Sequence, residues 1–599
     1  MPPARITTDS DVPEAKPTGS DVQTGKAQRD IFGATILPQN LSFENAKRLS
    51  ENQIRLEDIP LIDESGVAEE IAREKMKGKR ERSTRRENVK EEKSPAVEEK
   101  LFLEKGQKPE KSVAELFWVA DPYEAIPGPK IFRNFVNFLK QITRQVTILS
   151  LFRFLKANAR APFKVYGPIV KLPEILGGRI VLMSRPEHLS AVFEQDHRSP
   201  INSVLDSIER SRLQRKRKIQ PAAAAYHLTE DWNTLKNTIG QPTTMNIEKY
   251  FDGIDEAAEK FVRRIRLLRN GQNEVPEDFL FEINKWSLEC LCSMLFDKSF
   301  GFLDYDSASC PSKTSQLLYS LTLATKKLCH LESGFQFWRF MNTISLSSLG
   351  SACDVLENII SEYVSQVQLN LIKKKETSSI KDISVVENLL LQKENTPDDV
   401  VSTIHDTLLI GMNTMSTALA FLLYHLSMTP RVQAEVWKEV REILPEKYSR
   451  LEYEHLTSFR YIQACLKESL RLKMPMPVLS RTLAQNVTVS NYQIPKGTFI
   501  LMTAQVECMK EDNFNDPSEF MPERWLEQGV NHPYTTLPLG NYFDDSLQRQ
   551  LAEMSVWLCA SLVSRHFTMD YLHGDIDATS TVISFPNKPL KFTFVDRAK

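Results

Sequence analysis

Lys467-Glu468-Ser469-Leu470-Arg471, taken with Met521-Pro522-Glu523-Arg524-Trp525 about fifty residues later, decides how this chain folds. Glu468 and Arg471 are three apart and share one helix face, so they pair side by side and leave spare guanidinium donors for a carbonyl or carboxylate elsewhere. Arg524 is placed to close that cluster. An isolated E-x-x-R on a helix is ordinarily a solvated ion pair of little energetic weight. What raises its weight here is the order of the segments around it.

Upstream, Thr396-Pro397-Asp398-Asp399 opens a helix with a capping box and Pro at the first helical position, and the helix runs to about Met428, before Thr429-Pro430. Thirty residues of helix span roughly 45 Å, enough to cross a whole domain. Nearer the start, a globular region begins near Pro122, and Ile126-Pro127-Gly128-Pro129 within it is a rigid turn. Tyr166 to Leu172 and Arg179 to Met183 read as two short strands, and Pro186-Glu187-His188-Leu189 opens a helix. Residues 277–370 carry apolar stripes at helical spacing, including Phe281, Trp286, Leu288 and Leu291, and so does Ala552 to Phe567.

The chain has 599 residues, 26% charged and 41% hydrophobic, which is ordinary for a globular protein with a large core. A formal charge of −2 provides no overall attraction for nucleic acid, and no nucleic-acid partner is expected. Eight cysteines spread over this length form neither a disulfide framework nor a zinc site. Residues 1–115 are rich in charge, Pro, Ser, Thr and Gln, and they read as a disordered charged segment ahead of a domain at 116–599. Within them, the basic run Lys77 to Arg86 is flanked by acids and reads as a solvated mixed-charge stretch. The first thirty residues hold no apolar signal stretch and no clean run of eighteen apolar residues occurs later, so no transmembrane anchor is expected. Peripheral membrane contact stays open. Asp9, Asp11, Glu14 and Asp21 depart from the acid-poor composition of a mitochondrial presequence.

Taken together, the E-x-x-R helix, the P-E-R-W segment and the text KESLRLKMPMPVLSRTLAQNVTVSNYQIPKGTFI at 467–500 resemble the cytochrome P-450 (heme-thiolate monooxygenase) family over residues 122–599. The resemblance implies a mainly α fold with small β-sheets, a buried triad of Glu468, Arg471 and Arg524 beneath a heme, and oxygenation of apolar, steroid-like substrates by heme iron and dioxygen. It implies propionate contacts from Arg481 and from Trp232 with Lys236, where lysine stands in for the family's arginine and loses its planar fork. It also places Ile410-Gly411-Met412-Asn413-Thr414 in the oxygen-activating groove. There Thr414 is retained, but Asn413 takes the place of the acid, and an amide carries no titrating proton near neutral pH.

The family's ligand loop is altered as well. Leu537 to Gln550 aligns without a gap to F-G-x-G-x-R-x-C-x-G, and Ser546 falls at the metal-ligating cysteine. A serine hydroxyl stays protonated at neutral pH and replaces poorly the thiolate that pushes electron density onto iron. Tyr542 and Gln548 replace glycines, and Asp544 replaces an arginine expected at a propionate, which puts heme binding itself in question. Cys559, on the C-terminal helix, reads as a core thiol.

Several details match the family's mitochondrial branch, among them the segment Ile494-Pro495-Lys496-Gly497-Thr498 and His532 to Gly540. That branch receives an acidic ferredoxin on two lysines one helical turn apart. Lys467 fits the second, while Gln463 occupies the first. A mitochondrial location follows from the branch, with a cytoplasmic one as the alternative. Three function classes stand: a monooxygenase, a catalytically impaired relative that binds a small apolar ligand or a protein, and an interaction protein acting through its charged N-terminal segment.

Overall fold

The computed structural model describes residues 120–128, 160–172, 179–195, 206–215, 247–304, 312–333, 338, 341–376, 384–391, 396–446, 449–483, 485–527, 535–536, 547–579 and 583–597, all within the compact unit Lys111–Lys599. The helices are α1 (Arg160–Tyr166), α2 (Pro186–Gln195), α3 (Asp206–Gln214), α4 (Glu248–Leu268), α5 (Phe279–Phe296), α6 (Ser312–Ser333) and α7 (Ile344–Glu376). They continue with α8 (Val385–Leu391), α9 (Pro397–Met428), α10 (Pro430–Ile443), α11 (Arg460–Leu472), α12 (Ala504–Cys508), α13 (Arg524–Glu527) and α14 (Leu547–His566). The strands are β1 (Ile169–Leu172), β2 (Ile180–Met183), β3 (Leu479–Thr482), β4 (Val487–Val489), β5 (Tyr492–Ile494), β6 (Phe499–Met502), β7 (Phe567–Asp570) and β8 (Thr593–Asp596). Among the described residues the architecture is mainly α with three small sheets.

The largest sheet has the order β1-β2-β6-β3, with β2 and β6 parallel and the outer pairs antiparallel. Its first strand starts later than the sequence suggests. Tyr166 ends α1, because Gly167 at φ 92° donates its N–H back to Phe163 O and stops the helix. Gly128, in the turn ahead of the sheet, is required for a different reason: a Cβ there would lie 2.0 Å from Lys171 O. The β4–β5 hairpin turns on Ser490 and Asn491, both at positive φ, as a two-residue loop of right-handed twist demands.

The apolar core gathers around α9, which packs on α5, α7, α11 and α14. Its Thr396 cap is a true capping box, with Asp399 N–H donating to Thr396 Oγ1 and Thr396 N–H to Asp399 Oδ2. Among the described helices, α9 alone is long and apolar enough to cross a membrane, and 78% of its apolar window is buried inside the domain, as in a core helix.

Candidate functional site

The triad is assembled as its spacing implies. Glu468 and Arg471, on α11, are fully buried, and the Arg471 fork donates Nε to Oε2 at 2.8 Å and Nη2 to Oε1 at 2.7 Å. Arg524 Nε donates to Oε1 at 3.0 Å, Met521 N–H to Oε1 at 3.1 Å and Trp525 Nε1 to Oε2 at 2.9 Å. Glu468 therefore accepts five hydrogen bonds. The guanidinium groups also reach outward: Arg471 Nη1 donates to Cys508 O and Pro517 O, and Arg524 Nη1 to Asn515 O. The carboxylate thus nails the segment 508–525 to α11. The role of Trp525 as a donor is not read from the sequence, although the P-E-R-W segment contains it.

Along α9 from Val400 to Ser427, only Thr407, Ile410, Gly411 and Thr414 are not buried. Their spacing makes one stripe on one face. Thr414 Oγ1 donates to its own helix, to Ile410 O at 3.0 Å and Gly411 O at 3.2 Å. Asn413 does not lie on this stripe. Its side chain is buried, and its Nδ2 donates to Thr325 Oγ1 of α6 at 2.7 Å and to Leu409 O at 2.6 Å. The amide is thus a fastener between two helices.

A second buried charge cluster is not visible in the sequence reading. Arg212 of α3 donates Nε to Glu357 of α7 at 3.3 Å and Nη2 to Asp406 Oδ1 of α9 at 3.0 Å, and His405 Nδ1 lies 2.8 Å from the same oxygen. Burial opposes charge on His405, yet the bond to Asp406 and the neighbouring Cys353 hold its pKa up to about 9. Burial likewise works against the Asp406 carboxylate, and Arg212 and His405 together keep its pKa below the usual value. With His405 protonated the quartet is neutral. The signal that was available is the pair His405-Asp406 set inside the otherwise uncharged run Val400 to Ile410.

On the opposite flank of α11, Lys467 is exposed and Gln463 half-buried. They share a hollow of about 210 Å³ with Trp525, Arg549 and Trp557, where Arg549 Nε donates to Glu553 at 2.8 Å. Arg481 lies on β3 opposite Ile500, and its side chain is outside the described part. Trp232, Lys236, Tyr542, Asp544 and Ser546, like residues 1–115, lie outside the described residues.

A heme-thiolate centre takes its axial ligand from a cysteine. The seven described cysteines are free and buried. Burial pushes the thiols of Cys290, Cys292, Cys465 and Cys559 well above their ordinary range and that of Cys508 up to about 12. Cys508 moreover donates to Thr535 O. In the protein alone these five are protonated core thiols at neutral pH, and the ligand position, Ser546, lies outside the described residues.

The profile of the family described as Cytochrome P-450 matches residues 137–594. Cytochrome P-450 302a1, mitochondrial, of Drosophila melanogaster is 26% identical over 480 residues, covering 79% of this chain and 95% of the relative. Probable cytochrome P-450 12a5, mitochondrial, of the same organism is 27% identical over 457 residues, covering 72% and 84%. The mitochondrial 1,25-dihydroxyvitamin D(3) 24-hydroxylase of Mus musculus is 24% identical over 378 residues, covering 61% and 70%. In structure, the chain is similar to the heme domain of a mutant cytochrome P-450, with TM-score 0.61, 17% identity, and coverage of 80% of this chain and 98% of that one. The match spans most of the chain, which belongs to the cytochrome P-450 family.

Proposed function

We propose that this chain keeps the ligand pocket of a mitochondrial-type cytochrome P-450 and has lost most or all of its monooxygenase chemistry. The observation that carries the reading is the contrast between a triad with every part retained and a sequence in which Ser546 stands at the thiolate position. Asn413 adds support, since its amide is spent on Thr325 and Leu409 O and supplies no acid beside Thr414. The stripe of Thr407, Ile410, Gly411 and Thr414 is the wall a small apolar ligand meets. A steroid-like ligand, a mitochondrial location and a ferredoxin-type partner at Lys467, with Arg549 as a neighbouring cation, follow from the branch. An electrostatic face of this kind acts through summed charge and survives the exchange at Gln463 in weakened form.

The test is heme stoichiometry and turnover. The full chain, expressed with heme in excess and supplied with a ferredoxin, its reductase and reduced nicotinamide cofactor, is expected to carry well under one heme per chain and to oxidise no steroid above background. One heme per chain together with hydroxylated product would overturn the reading.

A further inference from the structure

Away from α9 and α11, where α1 and the β1–β2 sheet edge meet α12, the surface holds a hollow of about 290 Å³. Phe163, Val506 and Met509 give it an apolar floor, and Lys164, Arg185 and Lys510 stand around it. Lys164 and Arg185 are exposed, and neither has a carboxylate partner among the described residues. Lys510 Nζ is held by Glu507 Oε1 at 2.6 Å. Glu507, which bonds the lining residues Ser184 and Lys510, is already occupied: it is buried and accepts Ser184 Oγ at 2.9 Å and Asn513 Nδ2 at 3.1 Å. Glu187, two residues from Arg185, is exposed on the first turn of α2.

Exposed lysines are ordinarily just solvated. Three cations gathered over an apolar floor differ, because like charges repel most where low-dielectric walls screen them least. An arginine fork and an unpaired ammonium group are the donors that a tetrahedral dianion takes. A single carboxylate leaves the rim positive.

We propose that this hollow binds the phosphate of a phosphomonoester whose apolar part rests on Phe163, Val506 and Met509. A soluble aryl or alkyl phosphate and a phosphatidate headgroup share that chemistry. In the second case Val165, 71% exposed beside Lys164, meets the bilayer.

The full chain is titrated calorimetrically at low salt with phenyl phosphate and with inorganic phosphate, and floated with phosphatidylcholine vesicles with and without phosphatidic acid. The expected result is saturable binding of phenyl phosphate, tighter than that of inorganic phosphate. It weakens about tenfold or more in Lys164→Glu/Arg185→Glu, the worth of one charge-assisted hydrogen bond. Lys164→Gln/Arg185→Gln, which removes charge without reversing it, checks that the loss is not misfolding. Flotation that needs both phosphatidic acid and the two cations assigns the headgroup as the source, while phenyl phosphate binding without flotation assigns a soluble ligand. The proposal is overturned by absence of both, by binding unchanged in both double variants, or by inorganic phosphate binding as tightly as phenyl phosphate without flotation.

Discussion

Glu468 and Asp406 are both buried carboxylates held by arginine, yet their surroundings differ in one respect. Glu468 accepts five hydrogen bonds spread over both oxygens. Asp406 uses Oδ1 for Arg212 and His405, and Oδ2 has no partner among the described residues. A buried ion pair recovers its desolvation cost only when the remaining lone pairs are satisfied. The first cluster is therefore scaffold, joining α11 to the segment 508–525 through backbone carbonyls as well as charge. The second depends on a proton on His405 for its neutrality. Removing parts of each, from the heaviest to the lightest, measures how far the contrast reaches.

The largest effect is expected from Glu468→Ala, which strands Arg471 and Arg524 away from an acid. A loss of roughly 3–5 kcal/mol in urea unfolding is expected. A loss below that of an ordinary surface substitution would show that the backbone carbonyls alone suffice for the two arginines.

In the second cluster the lever is pH. The folded pKa of His405, about 9, lies above its unfolded value of 6.5, so its contribution is complete below pH 6.5 and disappears as pH rises toward 9. That amounts to about 3 kcal/mol of stability. The groups facing the ring are Arg212 from α3, which is also paired with Glu357 of α7, Cys353 from α7, and Asp406 on α9 itself. His405→Gln should flatten this alkaline slope in melts from pH 6 to 9. His425 has the opposite sign: burial first, then Lys473 and Arg471, hold its pKa down to about 3, so its share is present above pH 6.5 and lost on acidification. A slope unchanged in His405→Gln would assign the alkaline loss elsewhere.

A smaller effect separates ancestry from present use at position 413. Asn413→Asp restores the family's acid but turns a donor into an acceptor 2.6 Å from Leu409 O. A destabilisation of about 1–3 kcal/mol is expected by thermal denaturation, with no gain of activity. A neutral change would mean that the restored carboxylate turns into the groove beside Thr414. The smallest effect is expected from Trp525→Phe, which removes the indole donor to Glu468 Oε2 and should cost about 1.5 kcal/mol in the same assay.

What the sequence disclosed follows from how local each signal is. Helix α9 was legible at both ends because the capping box and Thr429-Pro430 are local chemistry. The triad was legible because three spaced residues and one short segment name it. Tyr166 fits a strand pattern that Gly167 interrupts, so the helix it ends is not visible in that pattern. The Arg212 cluster joins positions separated by 145 and 194 residues, and no periodicity connects them. Asn413 aligns to a groove position, whereas its direction is set by Thr325 on α6, a partner that spacing along α9 cannot reveal.

The central claim is that scaffold and chemistry have parted in this chain. Its most direct test is the carbon-monoxide difference spectrum of the reduced protein, expressed with heme in excess, beside Ser546→Cys and a variant combining Ser546→Cys, Asp544→Arg, Tyr542→Gly and Gln548→Gly. The expected result is no thiolate-type band from the unmodified chain, little from Ser546→Cys alone and a measurable band from the combined variant. A strong red-shifted band from the unmodified chain would contradict the account.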